Sequence, residues 1–130
     1  MAILRPANLK CISFYVDQNL LTQTDLVLGK LQEDGLIFYL DYVVMDAGTA
    51  SSFTGGTVVL EYSPTQGGTQ VVIDTTTLAD GSEITEVTQD GLTSTAVVPA
   101  GSWFFWTGAT LAGISYGIML QIWYQSMSEN

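Results

Sequence analysis

The sequence has no histidine, and its only cations are Arg5, Lys10 and Lys30. Without imidazole there is no Ser-His-Asp or Cys-His nucleophile system and no His-ligated metal site. Three cations against 13 acids leave a net charge of −10. Nucleic-acid binding by phosphate neutralisation is excluded on that balance, and adsorption to anionic lipid is disfavoured. Charged residues are scarce at 12%, against about 25% in ordinary globular domains. Yet 47% of the chain is hydrophobic, which excludes intrinsic disorder. Cysteine is down to one, Cys11, so no internal disulfide framework exists. Cys11 lies in the apolar run Cys11-Ile12-Ser13-Phe14-Tyr15-Val16 and reads as a small buried hydrophobe. A nucleophilic reading would need a neighbour that lowers the thiol pKa, and only Lys10 is adjacent. The first residues, Met-Ala-Ile-Leu-Arg-Pro, lack a signal-peptide hydrophobic region, so synthesis in a reducing cytoplasm is expected.

Good exposed-helix formers are also few: two lysines and five glutamates, beside 16 threonines, 13 glycines and 14 aromatics. That balance favours strands. A single domain over 1–130, with an N-terminal arm at 1–9, is expected from the length. Strands are predicted over 10–16, 26–31, 36–45, 57–62, 69–75, 83–88, 92–98, 102–107 and 116–125, separated by turn signals. These signals include Asp34-Gly35, Ser63-Pro64-Thr65-Gln66-Gly67-Gly68, Asp80-Gly81 and Asp90-Gly91. Short strands every 8–12 residues indicate an all-β antiparallel sandwich or barrel. The stretch Trp103 to Tyr124 is long enough for a membrane span and contains Gly113-x-x-x-Gly117. Its polar residues, its glycines and the lack of flanking Lys or Arg argue against a span.

Three strands are apolar on both faces. One face of 36–45 carries Leu36, Phe38, Leu40, Tyr42 and Val44, and the other carries Ile37, Tyr39, Asp41, Val43 and Met45. In 116–125, Ile118, Leu120 and Ile122 oppose Met119, Gln121 and Trp123. In 102–107, Trp103 and Phe105 oppose Phe104 and Trp106. A two-layer sandwich buries one face of each sheet, so a second cover is needed. Another copy of the chain is the expected cover, with a trimer preferred.

No catalytic set emerges. Asp74, Asp80, Glu83 and Glu86 fall close together, but no D-x-D-x-D-G loop exists, and these acids read as solvated turns and edges. Asp41 and Glu61 sit in apolar strands without forming a recognisable carboxylate pair for glycoside hydrolysis. Gly55-Gly56 and Gly67-Gly68 lack the helix and lysine of a phosphate cradle. The aromatics are better candidates. Trp103, Trp106, Trp123, Tyr62 and Phe53 could build a sugar-stacking platform or pack in a core or an interface. Phe53, in the glycine-rich loop Gly48 to Gly56, is the aromatic expected to be exposed. The candidate interface residues are Phe53, Trp103, Trp106, Met119 and Trp123. No metal, cofactor or catalytic residue is expected.

The segments Val97-Val98-Pro99-Ala100-Gly101-Ser102-Trp103-Phe104 and Gly117-Ile118-Met119-Leu120-Gln121-Ile122-Trp123-Tyr124 resemble the last two strands of jelly-roll sandwiches in tailed-phage virion proteins. The stretch Val71 to Gly81 is similar to such accessory proteins, and the resemblance covers roughly 57–125. It implies a jelly-roll-like fold and a non-catalytic role as a capsid decoration or cement subunit, or as a head-fibre or tail-fibre component. A fibre would show more repetition than this chain does. The implied partners are other copies of the chain and a capsid or other virion protein, and the implied location is the virion. The alternative is a carbohydrate-binding module, such as a fibre receptor-binding domain, with a glycan as ligand.

Overall fold

The structure is a computed structural model, which describes residues 9–45, 53–65, 67–81, 84–93 and 97–127. The expected arm at 1–9 lies outside these residues except for Leu9, as do most of the loop 48–56 and Glu83. The strands are β1 (Lys10–Val16), β2 (Leu26–Lys30), β3 (Gly35–Val44), β4 (Gly56–Ser63), β5 (Val71–Leu78), β6 (Thr85–Gln89), β7 (Val97–Val98), β8 (Trp103–Ala109) and β9 (Ile118–Ser126). A single 3₁₀ turn at Gln18–Leu20 follows β1, and the Asp17 carboxylate accepts from the Asn19 N–H at its start.

Antiparallel pairs nest in sequence: β1 with β9, β2 with β8, β3 with β6, and β4 with β5. This long double ribbon rolls so that β9 also meets β3 and β8 also meets β4. The result is two sheets, β1-β9-β3-β6 and β2-β8-β4-β5, which is the wrapping of a jelly roll. β7 continues the β6 edge of β3, with Leu40 facing Gln89 and Leu36 facing Val97; between the two pairings only 90–93 are among the described residues. Of the strand expected over 92–98, Val97 and Val98 are paired, Leu92 and Thr93 are not, and 94–96 lie outside the described residues.

The Asp34-Gly35 dipeptide does not close a hairpin, because β2 and β3 belong to different sheets. Asp34 instead ties chain ends together. Its carboxylate accepts from the Ala100 N–H at 2.7 Å, and its carbonyl accepts from the Met127 N–H at 2.8 Å. Gly35 is required by space, since a Cβ there would lie 2.8 Å from the Tyr124 ring and 2.9 Å from Leu31. The apolar stretch 103–124 divides between β8 and β9, in opposite sheets, and no helix among the described residues is long and apolar enough to cross a membrane.

One core fills the space between the sheets. Leu40, Tyr42, Val44, Ile118, Leu120 and Ile122 meet Val58, Leu60, Phe104 and Trp106. A bulge between Ile37 and Tyr39 changes which residues of β3 point inward. Ile37 joins Leu40, Tyr42 and Val44 in the core, and Tyr39, Asp41 and Val43 take the outer face. The Tyr42 ring meets Trp106 at 6.0 Å, and the Trp106 indole N–H donates to the Leu21 carbonyl at 2.9 Å. Burial pushes the Tyr42 phenol far above its ordinary value, with the Asp74 carboxylate adding to the rise. The Thr76 hydroxyl is near enough to offset part of that rise without making a well-formed hydrogen bond to the phenol.

Candidate interaction surfaces

The five candidate interface residues separate into two groups. Trp106 is fully buried between the sheets and belongs to the core. Phe53 is also a core residue, only 2% exposed, which corrects the expectation of a surface position. Its backbone N–H donates to the Gly81 carbonyl at 2.7 Å, and its ring covers Gly81 so closely that a Cβ there would lie 2.7 Å from it. The next residues are equally held. Thr54 bridges to Ala112, the Gly55 N–H donates to the Asp80 carboxylate at 2.7 Å, and a Cβ on Gly55 would strike the Leu78 carbonyl. Glycine serves close backbone contact there rather than a free loop.

Trp103, Met119 and Trp123 are half-buried and lie on outer faces, but on opposite sheets. On the β1-β9-β3-β6 sheet, Trp123 is directly opposite Tyr39, and the rings stack at 5.7 Å with planes 10° apart. On its other side, Trp123 faces Cys11, whose small side chain is exposed; the expected burial of Cys11 is corrected. The next row is polar: Ser13, Gln121, Asp41 and Thr88, with the Thr88 hydroxyl donating to Asp41 at 2.6 Å. The row beyond holds Tyr15, Met119, Val43 and Glu86. Tyr15 is half exposed, and its hydroxyl donates to the Tyr116 carbonyl at 2.6 Å. The Trp123 indole N–H is shielded from solvent and has no hydrogen-bond partner. Such a donor gains when a carbonyl, hydroxyl or water reaches it.

On the opposite sheet, Trp103 lies beside Lys30, whose ammonium sits 5.0 Å from the ring centroid. Phe105 lies between Val27 and Glu61 and is nearly buried although it faces outward. Burial raises the Glu61 carboxyl above its ordinary value, and the Asp25 carboxylate adds to the rise. With its amide nitrogen turned toward the two acids, Gln70 donates to Asp25 at 2.9 Å and to Glu61 at 3.3 Å.

Sequence reading finds the three outer-face candidates, Trp103, Met119 and Trp123, but not their neighbours. Tyr39 stacks on Trp123 from 84 positions away, a pairing that depends on β3 and β9 being adjacent. Lys30 reads in the sequence only as one of three cations. Among the described residues no three acidic or cysteine side chains gather into a metal-holding group. No family model, no curated protein and no solved structure matches the chain.

Proposed function

We propose that this chain is a non-catalytic structural subunit that self-assembles and decorates the shell of a virion. The observation that supports it is the placement of Trp123, Tyr39 and Met119 on the outer face of one jelly-roll sheet, on paired strands rather than on loops, in two rows with a polar row between them. Side chains fixed on paired strands lose little freedom when a partner covers them, which suits a permanent seam. Immunogold labelling of particles from the chain's source tests the location. Gold on the particle surface supports the reading, and unlabelled particles alongside labelled free protein contradict it.

A second reading, a glycan-binding module, is favoured by one specific feature. The Trp123–Tyr39 stack stands beside the hydrogen-bonding row of Ser13, Gln121, Asp41 and Thr88. An aromatic face beside amide and carboxylate groups matches the apolar and hydroxyl faces of a hexose. Glycan-array binding by the wild type that disappears in a folded Trp123→Ala protein would favour this reading. Loss of assembly in the same variant, without glycan binding in either protein, favours the structural one.

A further inference from the structure

An aromatic ring on an outer face can hold a cation, and this chain does so once within itself. On the β2-β8-β4-β5 sheet the Lys30 ammonium lies 5.0 Å from the centroid of the Trp103 ring. The other described cation is engaged as well, since Lys10 donates to both carboxylate oxygens of Glu33, at 3.0 and 3.1 Å.

The β1-β9-β3-β6 sheet has an aromatic and acidic corner of its own, where β1 ends beside the start of β9. Tyr15 is 51% exposed and Tyr116 is 60% exposed. They adjoin, because the Tyr15 hydroxyl donates to the Tyr116 carbonyl at 2.6 Å. The Asp17 carboxylate lies 3.4 Å from the same phenol oxygen and accepts from the Asn19 N–H at 3.1 Å. From Tyr15 the row crosses the half-buried Met119 and Val43 and ends at the exposed Glu86 on β6. An acid therefore stands at each end, with apolar side chains between them. Three strand spacings, about 14 Å, separate the two ends. Asp41 in the next row adds a third acid, and among the described residues no cation lies on this outer face.

We propose that this corner receives a basic segment of a different protein. One cationic side chain sits on Tyr15 and Tyr116 beside Asp17, a second reaches Glu86, and an apolar side chain lies between them on Met119 and Val43. The proposal rests on the reading of the chain as a subunit that decorates a shell, and it names the chemistry of the surface that the subunit meets. A guanidinium or ammonium over a tyrosine ring is drawn by the ring's negative face, and an adjacent carboxylate adds a charge-assisted hydrogen bond. Trp103 and Lys30 show the same chemistry satisfied inside the chain. The Tyr15 side chain is already fixed by its hydrogen bond, so it loses little freedom when a partner docks. Charge selects another protein over a second copy. Each copy carries −10, and both of its described cations are already engaged, by Glu33 and by Trp103.

The test uses the full chain and two peptides of equal charge. Extended acetyl-Arg-Ser-Leu-Ser-Arg-amide holds its guanidinium groups about 13 Å apart on one face, with leucine between them. Acetyl-Ser-Arg-Leu-Arg-Ser-amide holds them at about half that spacing. In an NMR titration the first should shift the amide signals of Asp17, Tyr116 and Glu86 and bind about threefold more tightly than the second. Asp17→Asn, which can still cap the Asn19 N–H, should weaken the first peptide about threefold. Asp90→Asn removes the same charge at an exposed position beyond the other end of β6 and should leave binding nearly unchanged. Tyr116→Ser should weaken binding at an unchanged melting temperature. Equal affinity for the two peptides, or equal losses from Asp17→Asn and Asp90→Asn, means diffuse attraction to an acidic chain and overturns the proposal. A light-scattering mass that falls in Tyr116→Ser assigns the corner to contact between copies and also overturns it. Immunogold labelling separates this proposal from the reading beneath it. Particle labelling that survives Asp17→Asn combined with Tyr116→Ser removes the basic-segment site alone. Selective peptide binding beside unlabelled particles keeps the site and removes the shell.

Discussion

The Phe53 ring reaches the core from a loop, pinned on one side by its bridge to Gly81 and on the other by the Thr54 bridge to Ala112. Phe53→Ser leaves a void between backbone segments that cannot close on it, and places a hydroxyl there. The expected loss is about 3–5 kcal/mol, read by urea unfolding. A change within about 1 kcal/mol, the range of surface substitutions, would place the ring outside the core. Glu61 gives a pH-dependent prediction. Its folded-state pKa is raised above the ordinary 4.5 by burial and by Asp25. The folded protein therefore holds the proton more tightly than the unfolded chain. Stability contributed by that proton is fully present below 4.5 and is lost as pH rises through the folded value. Glu61→Gln should flatten this fall in a series of melts from pH 4 upward. Because Glu33, held below its ordinary value by the Ser126 hydroxyl and by hydrogen bonds from Lys10, titrates in the opposite sense, the comparison decides: a Glu61→Gln curve parallel to the wild type's would contradict the assignment. Single-residue placement was the least legible level of the sequence. Glycine pairs and polar neighbours suggested a free loop at Phe53, whereas Gly55 and Gly56 are there because the Leu78 and Ala109 carbonyls leave no room for a Cβ.

Between elements, residues 90–93 follow the end of β6, on an edge of one sheet, and fasten to β5, an edge strand of the other. Asp74 is the fastening point. It is buried and accepts from the Thr93 N–H, the Thr93 hydroxyl and, at 3.0 Å, the Thr76 hydroxyl. Asp74→Ala removes all three acceptor contacts and leaves the buried Thr76 hydroxyl without its acceptor. We expect a loss of about 3 kcal/mol and faster amide exchange at residues 90–93, read by hydrogen-exchange mass spectrometry. Unchanged exchange there would mean the segment is held by something else. At this scale most of the strands were legible, because alternation and turn residues are local signals. The bounds of β1 come out as read, and β3, β4, β8 and β9 fall within about two residues of expectation. The misreadings have local causes too. Asp34-Gly35 has the composition of a tight hairpin but spans two sheets. The apolar residues of 92–98 suggested one strand, whereas among the described residues there Leu92 packs on the core and Val97 and Val98 alone pair.

For the whole molecule, the all-β class and the need for cover on two-faced strands could be read from the sequence, but the pairing order could not. The jelly-roll wrapping depends on β1 meeting β9 and β2 meeting β8, contacts between the two ends of the chain that leave no local pattern. The structure shows that the second faces are partly covered within the chain, as Tyr39 is by Trp123 and as the near-complete burial of Phe105 indicates. What remains open is the Trp123, Met119 and Tyr15 surface, the half-exposed Trp103, and the β1 edge. A structural subunit is expected to use these by associating with its own kind and with the shell. The most direct measurement is the mass of the purified full chain by light scattering, from dilute to concentrated, with and without added salt. The account predicts a mass that rises to a multiple of 14.0 kDa, and rises further when salt screens the repulsion between copies of charge −10. A species of 14.0 kDa at every concentration and salt level would contradict it.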